Sequence, residues 1–212
     1  MSLAQPKRIL IIKLRHHGDV LLSTPVVDAL KTRFPDCEID MLVYAGTGQL
    51  IADNPQIAQI FTIDRNWKKL GVFKQLACEK NLLSKLKVRD YDWAFNLSDQ
   101  WRAAIIAKLC ARCSVGFDCI KRDGFWWRFC HDFINHELDT SHHIVENQLN
   151  ILAPLIQPED VADAKVRLWV AQDARESMRQ KLREQGWNGE DYVLLHPGAR
   201  WHFKCWEDGK NA

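Results

Sequence analysis

The sequence predicts an α/β fold whose strands lie parallel in a sheet covered on both faces. Two observations carry this. Residues 8–14 form a continuous apolar run centred on Ile9-Leu10-Ile11-Ile12, without the alternation expected of a half-exposed strand. Similar segments then alternate with stretches of helical periodicity along most of the chain, the pattern of crossover units rather than of hairpins.

After the first strand, the turn Arg15-His16-His17-Gly18-Asp19 leads to Leu22, Val26, Val27, Leu30 and Phe34 at helical spacing. Pro25 removes a backbone donor, so a kink or a second start capped by Thr24 is expected, and Pro35 stops the helix. Residues 38–43 and 59–63 read as the second and third strands, with Gly46-Thr47-Gly48 as a turn between them. Residues 74–87 read as an amphipathic helix, 93–97 as a strand, 102–110 as a helix, and 114–117 and 132–135 as short strands. From Ser141 the pattern is helical again, with Ile144, Val145, Leu149, Leu152 and Leu155 on one face. Asp139, Thr140 and Ser141 are available as caps, and Pro154 and Pro158 as stops. Residues 165–170 read as a strand, 173–185 as a charged helix stopped by Gly186, and 191–196 as a strand of central composition running into a glycine-containing loop.

Composition narrows the class. At 212 residues, with 47% hydrophobic and 26% charged residues, the chain can build a core. Its 29 Lys and Arg stand against 27 Asp and Glu, a net +2, which excludes a surface that binds polyanions throughout and leaves local basic clusters open; no nucleic-acid partner is expected. Seven cysteines are an odd, scattered set that implies no disulfide framework. No segment approaches the ~18–20 apolar residues of a membrane span, and the apolar run at residues 9–12 is too short for a secretory core. A cytoplasmic setting follows, with any membrane association peripheral.

Two loops carry candidate chemistry. The first follows the opening strand, at the edge where open α/β sheets border their ligand crevice. There Gly18 permits close backbone approach, and Asp19 is a carboxylate suited to accept a proton from a hydroxyl. Asp19 fits a helix cap equally well. The second loop spans residues 197–204, where Gly198 and Ala199 let amides approach an oxyanion and Arg200 and Lys204 supply charge, a combination suited to phosphate. It is neither a Walker loop nor a dinucleotide fingerprint.

Other clusters read more plainly. Cys110, Cys113, Cys119 and Cys130 have irregular spacing and fit buried small hydrophobes better than zinc ligands, so no metal is expected. His142 and Glu146, four apart, fit either a capped helix start or a helix end facing the crevice. Trp126 and Trp127, among Arg102, Lys108, Arg112, Lys121, Arg122 and Arg128, fit a solvated face over core tryptophans, or a surface for sugars and phosphates.

Three ordered segments together resemble the lipopolysaccharide heptosyltransferases of glycosyltransferase family nine: residues 9–25, His142-His-Ile-Val-Glu-Asn147, and His196-Pro-Gly-Ala-Arg-Trp-His-Phe-Lys-Cys-Trp206. Within the family the wording is most like members that extend the inner core. The resemblance implies a GT-B architecture, in which an acceptor-side Rossmann-like domain with a parallel sheet faces a nucleotide-sugar domain. It implies inverting transfer of heptose from ADP-heptose to the lipopolysaccharide inner core, without an essential metal or other cofactor. Asp19 then matches the family's proposed general base. Gly198, Ala199, Arg200 and Lys204 match the loop that holds the donor diphosphate, and Arg15 and Arg102 are candidates for acceptor phosphates.

On this reading residues 1–170 are the acceptor-side domain, 171–190 a linker helix, and 191–212 the first strand and donor loop of an incomplete nucleotide-sugar domain. A C-terminally truncated chain of weak or no transferase activity is the resulting expectation, placed in the cytoplasm or peripherally on the cytoplasmic face of the inner membrane. Two rival readings are an acceptor-binding domain without catalysis and a flavodoxin-like nucleotide-binding protein.

Overall fold

A computed structural model describes residues 5–118, 124–135, 141–196, 198, 199 and 205. The chain divides into two compact units, residues 1–169 and 170–212. In the first unit six strands form one parallel sheet: β1 (Arg8–Lys13), β2 (Glu38–Tyr44), β3 (Gln59–Ile63), β4 (Tyr91–Asn96), β5 (Ala111–Phe117) and β6 (Phe133–Asn135). Their spatial order is β3-β2-β1-β4-β5-β6, and every pairing is parallel. This is the doubly wound order, which reverses direction beside β1.

The unbroken apolar run Ile9–Ile12 within β1 follows from its position. Ile9 and Ile11 enter one core, with Ile39, Met41 and Val43 of β2. Leu10 and Ile12 enter the other, so neither side of the strand meets water. Helices α1 (His17–Leu21) and α2 (Thr24–Arg33) cover the first face through Val20, Val26, Val27 and Leu30. The opposite face is covered by α3 (Val72–Val88), through Leu82 and Leu86, and by α4 (Trp101–Cys110), through Ala103, Ile106 and Ala107. The short α5 (Phe125–Phe129) seats Trp127 in a smaller cluster with Ala104 and Cys130.

Pro25 does produce a second helix start, but the cap position is Ser23 rather than Thr24, which is the first residue of α2. Both hydroxyls turn back instead, Ser23 Oγ donating to Val20 O at 2.6 Å and Thr24 Oγ1 to Leu21 O at 2.8 Å. Gly46, at φ +86°, makes the expected turn after β2. Helix α6 (Ile144–Asn150) is capped by His143, not by the three residues before it; of those, Asp139 and Thr140 lie outside the described residues. His143 Nδ1 accepts from Val145 N and Glu146 Oε2 accepts from His143 N, each at 3.3 Å, a reciprocal capping box.

At the amino ends of the central strands lies a charged cluster. Asp40, fully buried, accepts from Arg89 Nε at 2.7 Å and from the Tyr91 hydroxyl at 2.6 Å. Arg89 also reaches Glu38 at 2.8 Å, which pairs with Arg8 at 2.9 Å. The hydrogen bond to Asp40 raises the Arg89 pKa further, while burial and the same carboxylate push the Tyr91 phenol up.

Residues 165–170 are not a strand. They form an extended return over α2, where Lys165 N donates to Asp28 Oδ2, Arg167 N to Thr24 Oγ1 and Arg167 Nε to Asp28 Oδ1, all within 3.2 Å. Side chains of α2 satisfy these amides where a ladder partner would otherwise do so. In the second unit, α7 (Gln172–Glu184) ends before Gly186, at φ +91°. Residues 191–196 are not a strand either: they pair with no strand among the described residues, and Tyr192, Val193, Leu194 and Leu195 are exposed. Their composition suits a central strand, but a strand exists only through a partner's hydrogen bonds.

Candidate functional site

The connection after β1 crosses one face of the sheet and that after β4 crosses the other, so a crevice opens between their carboxyl ends. Two loops form its walls, and they are tied together through Leu14. Leu14 N donates to Ser98 Oγ at 2.7 Å, and Gln100 Nε2 donates to Leu14 O at 2.8 Å. Gln100 Oε1 in turn accepts from the Tyr44 hydroxyl at 2.6 Å, which brings the loop after β2 into the same network.

Beneath the loops lies Lys13, the last residue of β1, only 4% exposed. Its amine donates to Leu97 O at 3.1 Å. Burial lowers its pKa to about 8, opposed by Asp19 and Asp99, whose charges favour the ammonium. A second buried chain supports Ser98: Ser98 N donates to Asn96 Oδ1 at 3.0 Å, and Asn96 Nδ2 lies 3.1 Å from His131 Nε2. His131 Nδ1 lies 3.0 Å from Trp127 O. A carbonyl only accepts, so Nδ1 carries the proton and Nε2 accepts from Asn96. Burial holds the His131 pKa below its ordinary value.

Asp19 sits at the third position of α1, half-buried at the crevice edge, with Oδ2 accepting from His16 N at 3.3 Å. A carboxylate that accepts one hydrogen bond retains further acceptor sites, so the capping and proton-accepting readings are compatible. Arg15, on the same loop, pairs with Asp99 at 2.7 Å. Arg65 donates to Arg15 O at 3.3 Å and lies 4.2 Å from the centre of the Tyr44 ring. Arg15 and Asp19 both lie near enough to Lys13 for their charges to act on its amine. Arg102 is committed elsewhere, to Glu79 at 2.5 Å.

In the second unit, Gly198 and Ala199 are exposed, with Ala199 N donating to Cys205 Sγ at 3.3 Å. Arg200 and Lys204 lie outside the described residues, as do Cys119, Lys121 and Arg122. The other basic residues of the middle section are paired: Lys108 with Asp132, Arg112 with Asp90 and Asp92, and Arg128 with Asp118. Trp127 is buried and Trp126 is exposed. Cys110, Cys113 and Cys130 pack in hydrophobic clusters, and burial pushes the first two thiols up to about 11. Among the described residues no group of three His, Cys, Asp or Glu could hold a metal ion, and no helix is long and apolar enough to cross a membrane.

Sequence reasoning missed Lys13 as a buried group, and it missed Ser98, Gln100, Asn96 and His131 altogether. The polar string Asn96-Leu-Ser-Asp-Gln100, closing an apolar strand at the ligand edge of such a sheet, was an available signal for three of them. Nothing near His131 in sequence marks it.

The doubly wound parallel sheet defines the class: a Rossmann-like α/β domain. The sequence profile described as glycosyltransferase family 9 (heptosyltransferase) matches residues 80–210, and the chain belongs to that family. It is 34% identical over 200 residues to lipopolysaccharide heptosyltransferase 3 of Escherichia coli K12, an alignment covering 93% of this chain and 56% of that protein. The crystal structure of a glycosyl transferase family 9 protein from Veillonella parvula superposes with a TM-score of 0.78 at 20% identity, covering 98% of this chain and 57% of the other. Escherichia coli heptosyltransferase WaaC, solved with ADP-2-deoxy-2-fluoro heptose, gives a TM-score of 0.61 at 20% identity, covering 69% and 47%. At such identities the structural likenesses speak for the fold, and the chain spans about half the length of these relatives.

Proposed function

We propose that this chain is the acceptor-side part of an inverting glycosyltransferase that moves heptose from ADP-heptose to the inner core of lipopolysaccharide. The observation that carries the reading is the placement of Asp19 in the first turn of α1, directly after β1 at the switch-point crevice, in a chain of this family. Asp19 accepts the proton of an acceptor hydroxyl as that oxygen bonds to the anomeric carbon. The bond from that carbon to the diphosphate breaks, and ADP departs with its electron pair. Gly198, Ala199, Arg200 and Lys204 hold the diphosphate through backbone amides and cationic side chains. Arg15 and Arg102 meet acceptor phosphates; of the two, Arg15 is the better placed, on the loop that leads into the helix of Asp19. The proposed setting is cytoplasmic, with peripheral contact at the inner membrane, where the lipid-borne acceptor resides.

A second reading, an acceptor-binding unit without turnover, draws support from the exposed run Tyr192–Leu195 beside the donor loop. Calorimetric titration separates the two. The transferase reading expects binding of both ADP-heptose and core oligosaccharide, with transfer lost in Asp19→Asn. The binding-only reading expects core oligosaccharide alone to bind. Failure to bind either ligand would overturn both.

A further inference from the structure

Residues 65–80 contain five basic side chains, Arg65, Lys68, Lys69, Lys74 and Lys80, against a single acidic one, Glu79, which Arg102 occupies. In their midst stands an apolar tip: Val72, Phe73 and Leu76 are 70%, 89% and 59% exposed. Helix α3 has 17 residues, and the two that are buried, Leu82 and Leu86, lie in its second half, so its first turns stand clear of the core. The base beneath them is firm. Trp67 packs against the core, Leu70 N donates to Trp67 O at 3.0 Å, and Gly71, at φ +78°, turns the chain into the helix.

Single exposed apolar side chains are ordinary, but three on neighbouring positions of one projecting helix end form a patch. Its charge decides what fits it. Lys68, Lys69 and Lys74 make no ion pair among the described residues. Protein interfaces are depleted in lysine at their centres. Phenylalanine and leucine set among unpaired lysines match instead a segment lying in the headgroup layer of an anionic bilayer.

We infer that the Arg65–Lys69 turn and the first turns of α3 seat this chain on an anionic lipid bilayer. Phe73 and its apolar neighbours enter the boundary between headgroups and acyl chains, and the lysines meet lipid phosphates. The inference rests on the lipid-borne acceptor proposed above and fixes which face of the domain meets the membrane. That face is linked to the candidate site: Arg65 donates to the carbonyl of Arg15 and stacks on Tyr44, whose hydroxyl holds Gln100. The membrane contact is thus coupled to the loop that leads into the helix of Asp19.

Co-sedimentation of the 212-residue chain with vesicles tests this, using phosphatidylcholine alone and with about 30% phosphatidylglycerol. The chain is expected to partition onto the anionic vesicles and to be released as salt is raised. Phe73→Glu is expected to lower the partition coefficient roughly tenfold or more, as is the triple substitution of Lys68, Lys69 and Lys74 by Ala. These residues are exposed, so unchanged circular dichroism and Tm would show that each variant folds. The vesicles hold neither acceptor nor ADP-heptose, which separates this outcome from the titrations above. Three results would overturn the inference: wild-type chain remaining in the supernatant, Phe73→Glu sedimenting like wild type, or a dimer that Phe73→Glu dissociates in the absence of vesicle binding. A fourth would do so as well, in which Trp126→Glu alone releases the chain and locates the contact at the exposed Phe125, Trp126 and Phe129 cluster.

Discussion

The buried amine of Lys13 donates to the carbonyl oxygen of Leu97, joining the end of β1 to the loop that leaves β4. Its folded-state pKa of about 8 lies below the ordinary lysine value near 10.5. Between those values the unfolded chain holds more protons, so this group makes stability rise with pH. Urea unfolding at pH 7 and pH 10.5 is therefore expected to show wild type gaining on Lys13→Met, by at most ~3 kcal/mol. Parallel pH curves for the two proteins would contradict the assignment.

The His131 ring fills the space over Gly116, where a Cβ would lie 2.5 Å from the ring. Gly116→Ala is expected to cost about 1–3 kcal/mol through overpacking. In a His131→Ala background the same substitution should cost much less, because the obstructing ring is gone. A double-mutant cycle by denaturant unfolding measures the coupling, and additive effects would refute it.

The acid limb of stability should report His131. Its pKa is lowered in the folded chain, mainly by burial, so from about pH 6.5 downward the unfolded chain takes up the proton first and stability falls with pH. His131→Gln is expected to flatten that part of the curve between pH 7 and pH 5. An unchanged slope would mean that another group governs it.

Asp19 has two roles that substitution can separate. Asn keeps an oxygen for the His16 amide, so Asp19→Asn should preserve Tm, whereas Asp19→Ala should cost ~1 kcal/mol as a lost cap. Both should depress any heptose transfer by about 10²–10⁴-fold through loss of the base. Transfer by Asp19→Asn at the wild-type rate would leave Asp19 with the cap alone.

Much of the sheet was legible because burial on both faces leaves a local mark. The run Ile9–Ile12 is apolar throughout because alternate residues enter different cores. Residues 191–196 carry the same mark and form no strand among the described residues, since composition records suitability while pairing depends on a partner. The segment of Asp19 was legible as the one that follows that first strand, although the turn read over residues 15–19 gives way to helix α1 from His17. Its supports were not: Ser98 meets Leu14 across 84 positions, and Gln100 meets Leu14 across 86. Hydrogen bonds at that separation leave no periodicity to read. His131 is harder still, because what selects it is the space over Gly116 of β5.

The cluster around Asp40 gives the strands two unlike ends. Arg89, Tyr91, Glu38 and Arg8 fasten β1, β2 and β4 where the strands begin, away from every group assigned to chemistry. Sequence change at the loops where those strands finish leaves this fastening untouched. The fold is thereby anchored at one end of its strands and left open to variation at the other.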